Sequence, residues 1–268
     1  MIRMAKRLSR GEQKRLEKRT EEAKKRGGVS ASLFLEGEMN ALSDADCFFF
    51  FGGRVLPKGL LTIFFPDESS AEITVAEYMP KENMLYLLYK RALEECKRVG
   101  VTQVYTVRNP ECGFSFEKVP GVGFAYEWSE YMLGIRMKEL AAAGVFETET
   151  ESELKAEPAP EEDGTLRYIL SWEGKEAAEC RILPTENGRC CYLFGLKTKE
   201  EWRRKGMATR LLAAIAAQYA ENEDAVMRLQ VSSKNEPAEH LYRKLGFVTE
   251  EEREYFKTEV CQNGTMRK

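Results

Sequence analysis

The chain has 268 residues, 43% of them hydrophobic and 32% charged, with a formal net charge of −3. That length fits two domains of roughly 100–150 residues, each able to bury a core, and the near-neutral charge argues against a general nucleic-acid binder. No apolar run is long enough to cross a bilayer, Cys47 to Phe51 having the length of a strand, and the charged N-terminus lacks a signal-peptide core. Seven scattered cysteines read as free thiols of a cytoplasmic chain. The single histidine, His240, excludes a histidine-rich metal site, and no metal is expected.

Arg3 to Arg26 is rich in Lys, Arg and Glu and reads as a charged helix or a partly disordered arm, ended by Gly27-Gly28. Leu33 to Leu42 has helical spacing. Phe48 to Phe51 and Leu60 to Phe65 read as buried strands, with turn signals at Gly52-Gly53 and Pro57-Lys58-Gly59. Ala71 to Tyr78 alternates like a strand, and Met84 to Arg98 is an amphipathic helix stopped by Gly100. Val101 to Val107 is β-branched, and Phe124 to Leu133 reads as a last strand of this half. Glu147 to Gly164 is acidic, contains Pro158 and Pro160, and reads as a linker.

The second half gives strands at Leu166 to Trp172, Glu176 to Leu183 and Cys190 to Leu196, with turns at Gly174 and Asn187-Gly188. A helix at Met207 to Tyr219, a strand at Ala225 to Ser232, a short helix at Glu236 to Leu245 and a strand at Arg253 to Thr258 follow. The expected organisation is a charged arm over 1–28, a domain over 29–146, an acidic linker over 147–164 and a second domain over 165–268. Both halves run helix, strand, an Asn/Pro turn, Gly-Phe, then a strand carrying Glu-Tyr, which reads as an internal duplication.

Two segments of the second half carry chemistry. Arg203-Arg204-Lys205-Gly206-Met207-Ala208-Thr209 lies between a strand and a helix start, where free N–H groups and the dipole favour an anion. Gly206 and Ala208 leave the backbone approachable, and the three basic residues add positive charge. In the second segment, Asn235 to Phe247, helical spacing puts Ala238, Leu241, Tyr242 and Leu245 on one face, with the Tyr242 hydroxyl at the tip of an apolar cluster. A basic turn that merely caps a helix and a tyrosine that merely packs are the plain alternatives.

Together these segments resemble the GNAT superfamily of acetyl-CoA-dependent N-acyltransferases. Arg203, Gly206 and Ala208 match its Arg/Gln-x-x-Gly-x-Gly/Ala signature. Asn235, Ala238, Leu241, Tyr242, a basic pair and Gly246-Phe247 match its second motif in order. The resemblance covers about the last hundred residues. It implies a mixed α/β fold, here as two similar domains, each with a mixed sheet flanked by helices. It also implies that acetyl-CoA is the acyl donor and a primary amine the acceptor. The resemblance places the donor's pyrophosphate on the backbone of Arg204, Lys205, Gly206, Met207, Ala208 and Thr209, beside Arg203. The pantetheine arm would lie along the strand edge at Leu196, Lys197 and Thr198, with Asn235 nearby. Tyr242 would be the general acid to the leaving thiolate. The cysteines get no role, His240 falls on another helical face, and Glu179 is one open choice of base.

The first half looks like a second copy without the chemistry. Its Tyr78 to Met84 connection has no glycine and contains Pro80, and Glu111 to Gly123 has no tyrosine. No donor is expected there. An active N-acyltransferase and a non-catalytic acyl-CoA-binding or regulatory module are the two functional readings. The presence of both Tyr242 and the basic turn favours the enzyme.

Overall fold

The charged N-terminal run divides in two. Ile2–Ala5 (β1) pairs antiparallel with Phe48–Gly52 (β2), and Ser9 caps a helix over Arg10–Lys24 (α1). The cap is reciprocal: the Glu12 N–H donates to Ser9 Oγ at 3.3 Å and the Ser9 N–H to Glu12 Oε2 at 2.8 Å. Leu16 and Ala23, seven residues apart, are the buried residues of α1. So thin an apolar stripe is easily missed in a sequence, and the run belongs to the first globular unit instead of forming a separate arm.

The computed structural model describes residues 1–35, 41–119, 121–143, 152–158, 164–185, 189–219 and 221–260. The chain forms two compact units, Met1–Ser129 with Arg253–Lys268, and Glu130–Glu252. In the first, β2, Pro57–Phe64 (β3) and Ser70–Glu77 (β4) form an antiparallel meander. The helix Met84–Arg98 (α2) then carries the chain over, so that Gln103–Arg108 (β5) lies parallel to β4. The core is built from Phe48, Phe49 and Phe50 of β2, Leu60 and Ile63 of β3, and Met84, Leu88, Tyr89 and Ala92 of α2, all essentially inaccessible. Its buried hydroxyls pair with one another, Thr62 with Thr74 at 2.8 Å and Tyr89 with Thr106 at 2.6 Å.

In the second unit, Ser152–Pro158 (β7), Leu166–Trp172 (β8), Lys175–Thr185 (β9) and Cys190–Thr198 (β10) run antiparallel in turn. Met207–Tyr219 (α4) crosses over to Val226–Ser232 (β11), which is parallel to β10. Met137–Ala143 (α3) packs against α4, and Glu236–Lys244 (α5) follows β11. The β8–β9 hairpin turns on Glu173 and Gly174, with φ of 51° and 74°, as a two-residue turn between twisted strands requires. The expected turn at Asn187-Gly188 lies outside the described residues.

Each sheet is closed by a strand from the other half of the sequence. Ala125–Arg136 (β6) pairs with β11, from Glu130 opposite Ser232 to Arg136 opposite Val226. Val248–Glu259 (β12) pairs with β5, from Glu254 opposite Arg108 to Glu259 opposite Gln103. The two sheets therefore repeat one pattern: three antiparallel neighbours, one parallel neighbour after a crossover helix, and a borrowed antiparallel strand. That repetition is what the shared order of motifs in the two halves expresses.

Three expectations are corrected. Phe124 to Leu133 falls on β6, of which the part up to Ser129 stays with the first unit and the part from Glu130 joins the second, and Arg253 to Thr258 serves the first unit, so the compact units do not follow the 29–146 and 165–268 division. The acidic stretch contains β7, because an edge strand tolerates charge and ends readily at a proline such as Pro158. Leu33 to Leu42 is not helical at its described residues. Phe34 stacks on Phe64 at 4.8 Å, its N–H donates to Thr62 Oγ1, and the Leu35 N–H donates to the Leu33 carbonyl at 3.0 Å, so the chain there makes a tight turn beside β3 and no helix. Residues 36–40 lie outside the described set.

Candidate active site

The parallel ladder between β10 and β11 spans only Cys190–Leu193 opposite Val226–Leu229. Beyond it β10 continues to Thr198 with β9 as its partner, and β11 continues to Ser232 with β6 as its partner. From Phe194 onward the two strands part. The register of β10 on β9 slips by one residue between Phe194, opposite Arg181, and Lys197, opposite Glu179. Gly195, with φ of 62°, sits in that bulge. A bulge takes backbone groups out of the ladder and re-aims them, here on the strand that lines the parting. Leu196 and Thr198 are half-buried and Lys197 is exposed.

After β10 a single 3-10 turn, Glu200–Trp202, leads into a loop with two left-handed residues, Arg204 at φ 60° and Gly206 at φ 79°. The first helical bond at α4 is the Arg210 N–H to the Gly206 carbonyl at 3.0 Å. The backbone N–H groups of Arg204, Lys205, Gly206, Met207, Ala208 and Thr209 have no acceptor among the described residues. Successive unpaired N–H groups in such a turn form an anion-binding concavity, and the helix dipole adds to it. Arg203, Arg204 and Lys205 are exposed around it, and Lys205 Nζ lies 4.7 Å over the Trp202 ring.

The second segment leaves β11 at the same end of the sheet, since β10 and β11 are parallel neighbours. Asn235 caps α5, its Oδ1 accepting the Ala238 N–H at 3.4 Å, so its amide oxygen serves the helix. Tyr242 is buried and its ring meets Phe247 edge-on at 5.5 Å. Its hydroxyl makes no hydrogen bond to a described residue. Burial pushes its pKa up to about 12, with the nearby Cys180 thiol adding to the effect. His240 is exposed on another face of α5.

Glu179 is not poised as a base. Arg167 Nε donates to its Oε2 at 2.9 Å, and this contact, with Lys197 and Lys199 adding charge, holds the carboxyl below its ordinary pKa. The first unit's counterpart of the basic turn is also different. The Tyr78 and Met79 N–H groups donate to the Lys58 carbonyl at 2.9 and 2.8 Å, the Met84 N–H donates to the Lys81 carbonyl, and Pro80 has none to offer. Sequence reasoning missed the Gly195 bulge, although a glycine inside an alternating strand is its usual sign.

Residues 177–256 match the model of the FR47-like protein family. No curated protein matches the sequence. Among solved structures, a tandem GNAT protein from the clavulanic acid biosynthesis pathway aligns at 13% identity over 81% of this chain and 83% of its own, with a TM-score of 0.58. A GCN5-related N-acetyltransferase from Sphaerobacter thermophilus aligns at 10% identity over 80% and 81%, also at 0.58. An acetyltransferase of the GNAT family from Colwellia psychrerythraea aligns at 13% identity over 97% and 100%, at 0.54.

Proposed function

On the premise that this is a chain of GNAT fold with an FR47-like pattern over residues 177–256, we propose that its second unit transfers an acyl group from acetyl-CoA to a primary amine. The observation that carries this reading is the conjunction, at one end of one sheet, of two parting parallel strands and six consecutive unpaired N–H groups. A pyrophosphate matches that concavity in charge and in hydrogen-bonding sense. An extended amide-bearing arm matches the exposed edge of β10 at Leu196, Lys197 and Thr198, because it can pair as a strand does.

Each residue then has a task. Arg204 to Thr209 hold the phosphates through their backbone, with Arg203, Arg204 and Lys205 supplying charge. A backbone N–H at the Gly195–Leu196 bulge donates to the thioester oxygen as negative charge develops on it under attack by the amine. Asn235 fixes the start of α5 and so the position of Tyr242. Tyr242 donates its hydroxyl hydrogen toward the departing sulfur, and the amine's proton leaves to water. Glu179, tied to Arg167, stays ionised and takes no part.

The test is thiol release from acetyl-CoA in the presence of a panel of small amines and lysine peptides, run alongside donor-induced thermal stabilisation. Turnover with at least one amine is the expected result. Stabilisation without turnover on any amine would make the protein an acyl-CoA-binding module, and the absence of both stabilisation and turnover would sink the reading.

A further inference from the structure

The first unit contains the same parting of strands, and it is filled. Its parallel ladder spans Ser70–Ile73 opposite Gln103–Thr106 and then stops, as the β10–β11 ladder stops at Leu193 opposite Leu229. Past that point β4 continues to Glu77. Counted from the ladder ends, Val75 and Glu77 of β4 stand where Gly195 and Lys197 stand on β10. In the second unit this edge has no strand partner on the β11 side among the described residues. In the first, Gly27–Ser30 lies along it.

Val29 forms an antiparallel bridge with Ala76. The Ser30 N–H donates to the Val75 carbonyl at 2.8 Å, and the Glu77 N–H donates to the Gly28 carbonyl at 2.7 Å. The Ser30 hydroxyl accepts the Val75 N–H at 2.9 Å. The far side of the segment is bound as well: the Asn109 N–H, just past β5, donates to the Ser30 carbonyl at 2.5 Å, and the Gly113 N–H to the Gly27 carbonyl at 3.0 Å. Ser30 is fully buried. A Cβ on residue 28 would stand 2.9 Å from the Glu77 carbonyl oxygen, and Gly27 has φ of 68°, so both glycines are needed for the approach.

We infer that Gly27–Ser30 is a built-in occupant of the first unit's strand parting, taking with the chain's own backbone the place that a donor's arm takes in the second. The first unit is thereby sealed to acyl-CoA, and the chain binds one donor. The identity of the arm rests on the function proposed above; the occupancy does not.

The experiment is residue-resolved amide hydrogen exchange on the full chain, with and without acetyl-CoA, together with calorimetric stoichiometry. The amides of Ser30, Val75, Glu77 and Asn109 should exchange slowly in both conditions, while those of Arg204 to Thr209 slow only with donor, at one donor per chain. Ser30→Ala should speed exchange at Val75 roughly tenfold, since that loss leaves its N–H unpaired, without altering donor binding. Gly28→Val should speed Val75 and Glu77 together. Fast exchange at Val75 and Glu77 in the unmodified chain, their slowing on addition of acetyl-CoA, or two donors per chain would overturn the inference. Absence of any donor binding with slow exchange at these amides would count against the proposed function and leave the occupancy standing.

Discussion

Replacing Tyr242 by phenylalanine removes one hydroxyl and little else. The ring keeps its edge-on contact with Phe247, and the hydroxyl has no described protein partner, so unfolding free energy should change by less than about 0.5 kcal/mol. The catalytic effect follows from the pKa. Burial lifts Tyr242 to about 12, against an ordinary thiol near 8.5, so complete proton transfer to the sulfur is uphill by roughly 5 kcal/mol. Tyr242 therefore acts as a hydrogen-bond donor to the charge growing on sulfur and not as the source of a fully transferred proton. A hydrogen bond to a charged group contributes about 1.5–3 kcal/mol, which converts to a fall in kcat of roughly ten- to a hundredfold. Donor affinity should hold, because the interaction strengthens only as the sulfur departs. A raised pKa keeps the hydroxyl protonated below about pH 11, so kcat should show no descending limb between pH 7 and 10. The kcat/KM for the acceptor amine should instead rise as that amine, near 10.4 when free, loses its proton. The assay is steady-state thiol release across pH, with donor binding measured separately on both forms. An unchanged kcat would show that Tyr242 only packs, and a fall matched by an equal loss of donor affinity or of stability would refute the leaving-group role.

Three further outcomes are expected. Gly206→Glu should abolish acetyl-CoA-induced thermal stabilisation, whereas Gly206→Asn, which tolerates the φ of 79° and adds no charge, should retain most of it. Glu12→Gln should cost about 1 kcal/mol at pH 7, measured by thermal unfolding. The Arg54 contact and the Ser9 cap hold the Glu12 carboxyl at about 2, so its contribution is present above its unfolded value near 4.3, and the gap between the two forms should close as pH falls toward 2. Phe256→Ala should cost about 3–5 kcal/mol and loosen the N-terminal unit, read as faster exchange at the amides of β5. The ring packs against Phe116 at 5.7 Å and Tyr126 at 5.8 Å, with Arg108 4.6 Å above it.

Amphipathic helices announce themselves, and α2 and α4 stood out because their apolar residues recur every three or four positions. The basic turn was legible for a related reason: glycine and small residues at a strand-to-helix junction have few other uses. Pairing partners are a different matter. Nothing in Ala125–Arg136 or Val248–Glu259 states that each strand completes the other half's sheet, since alternation specifies which face is buried and not which neighbour is met. Gly27-Gly28 read as a helix stop, which it is, but the carbonyl of Glu77 that makes the second glycine necessary lies far along the chain. Arg204 carried no sign of its left-handed backbone, because the requirement comes from the loop and not from the residue. The acidic stretch misled through composition, as the charges that suggested a linker also suit the edge position of β7.

The exchange of closing strands sets a timetable for synthesis. Arg108 and Glu254, joined by an ion pair at 2.6 Å, are 146 residues apart. At about 5–20 residues per second, a ribosome needs roughly 7–30 s to deliver the partner of β5 after β5 itself, while hairpins and helices form in microseconds. The first unit therefore waits those seconds with one sheet edge open, while β11 finds its partner strand β6 already made. A chain stalled or cut before Arg253 would keep that open edge for good, which makes truncation products of this protein natural candidates for aggregation and for capture by chaperones.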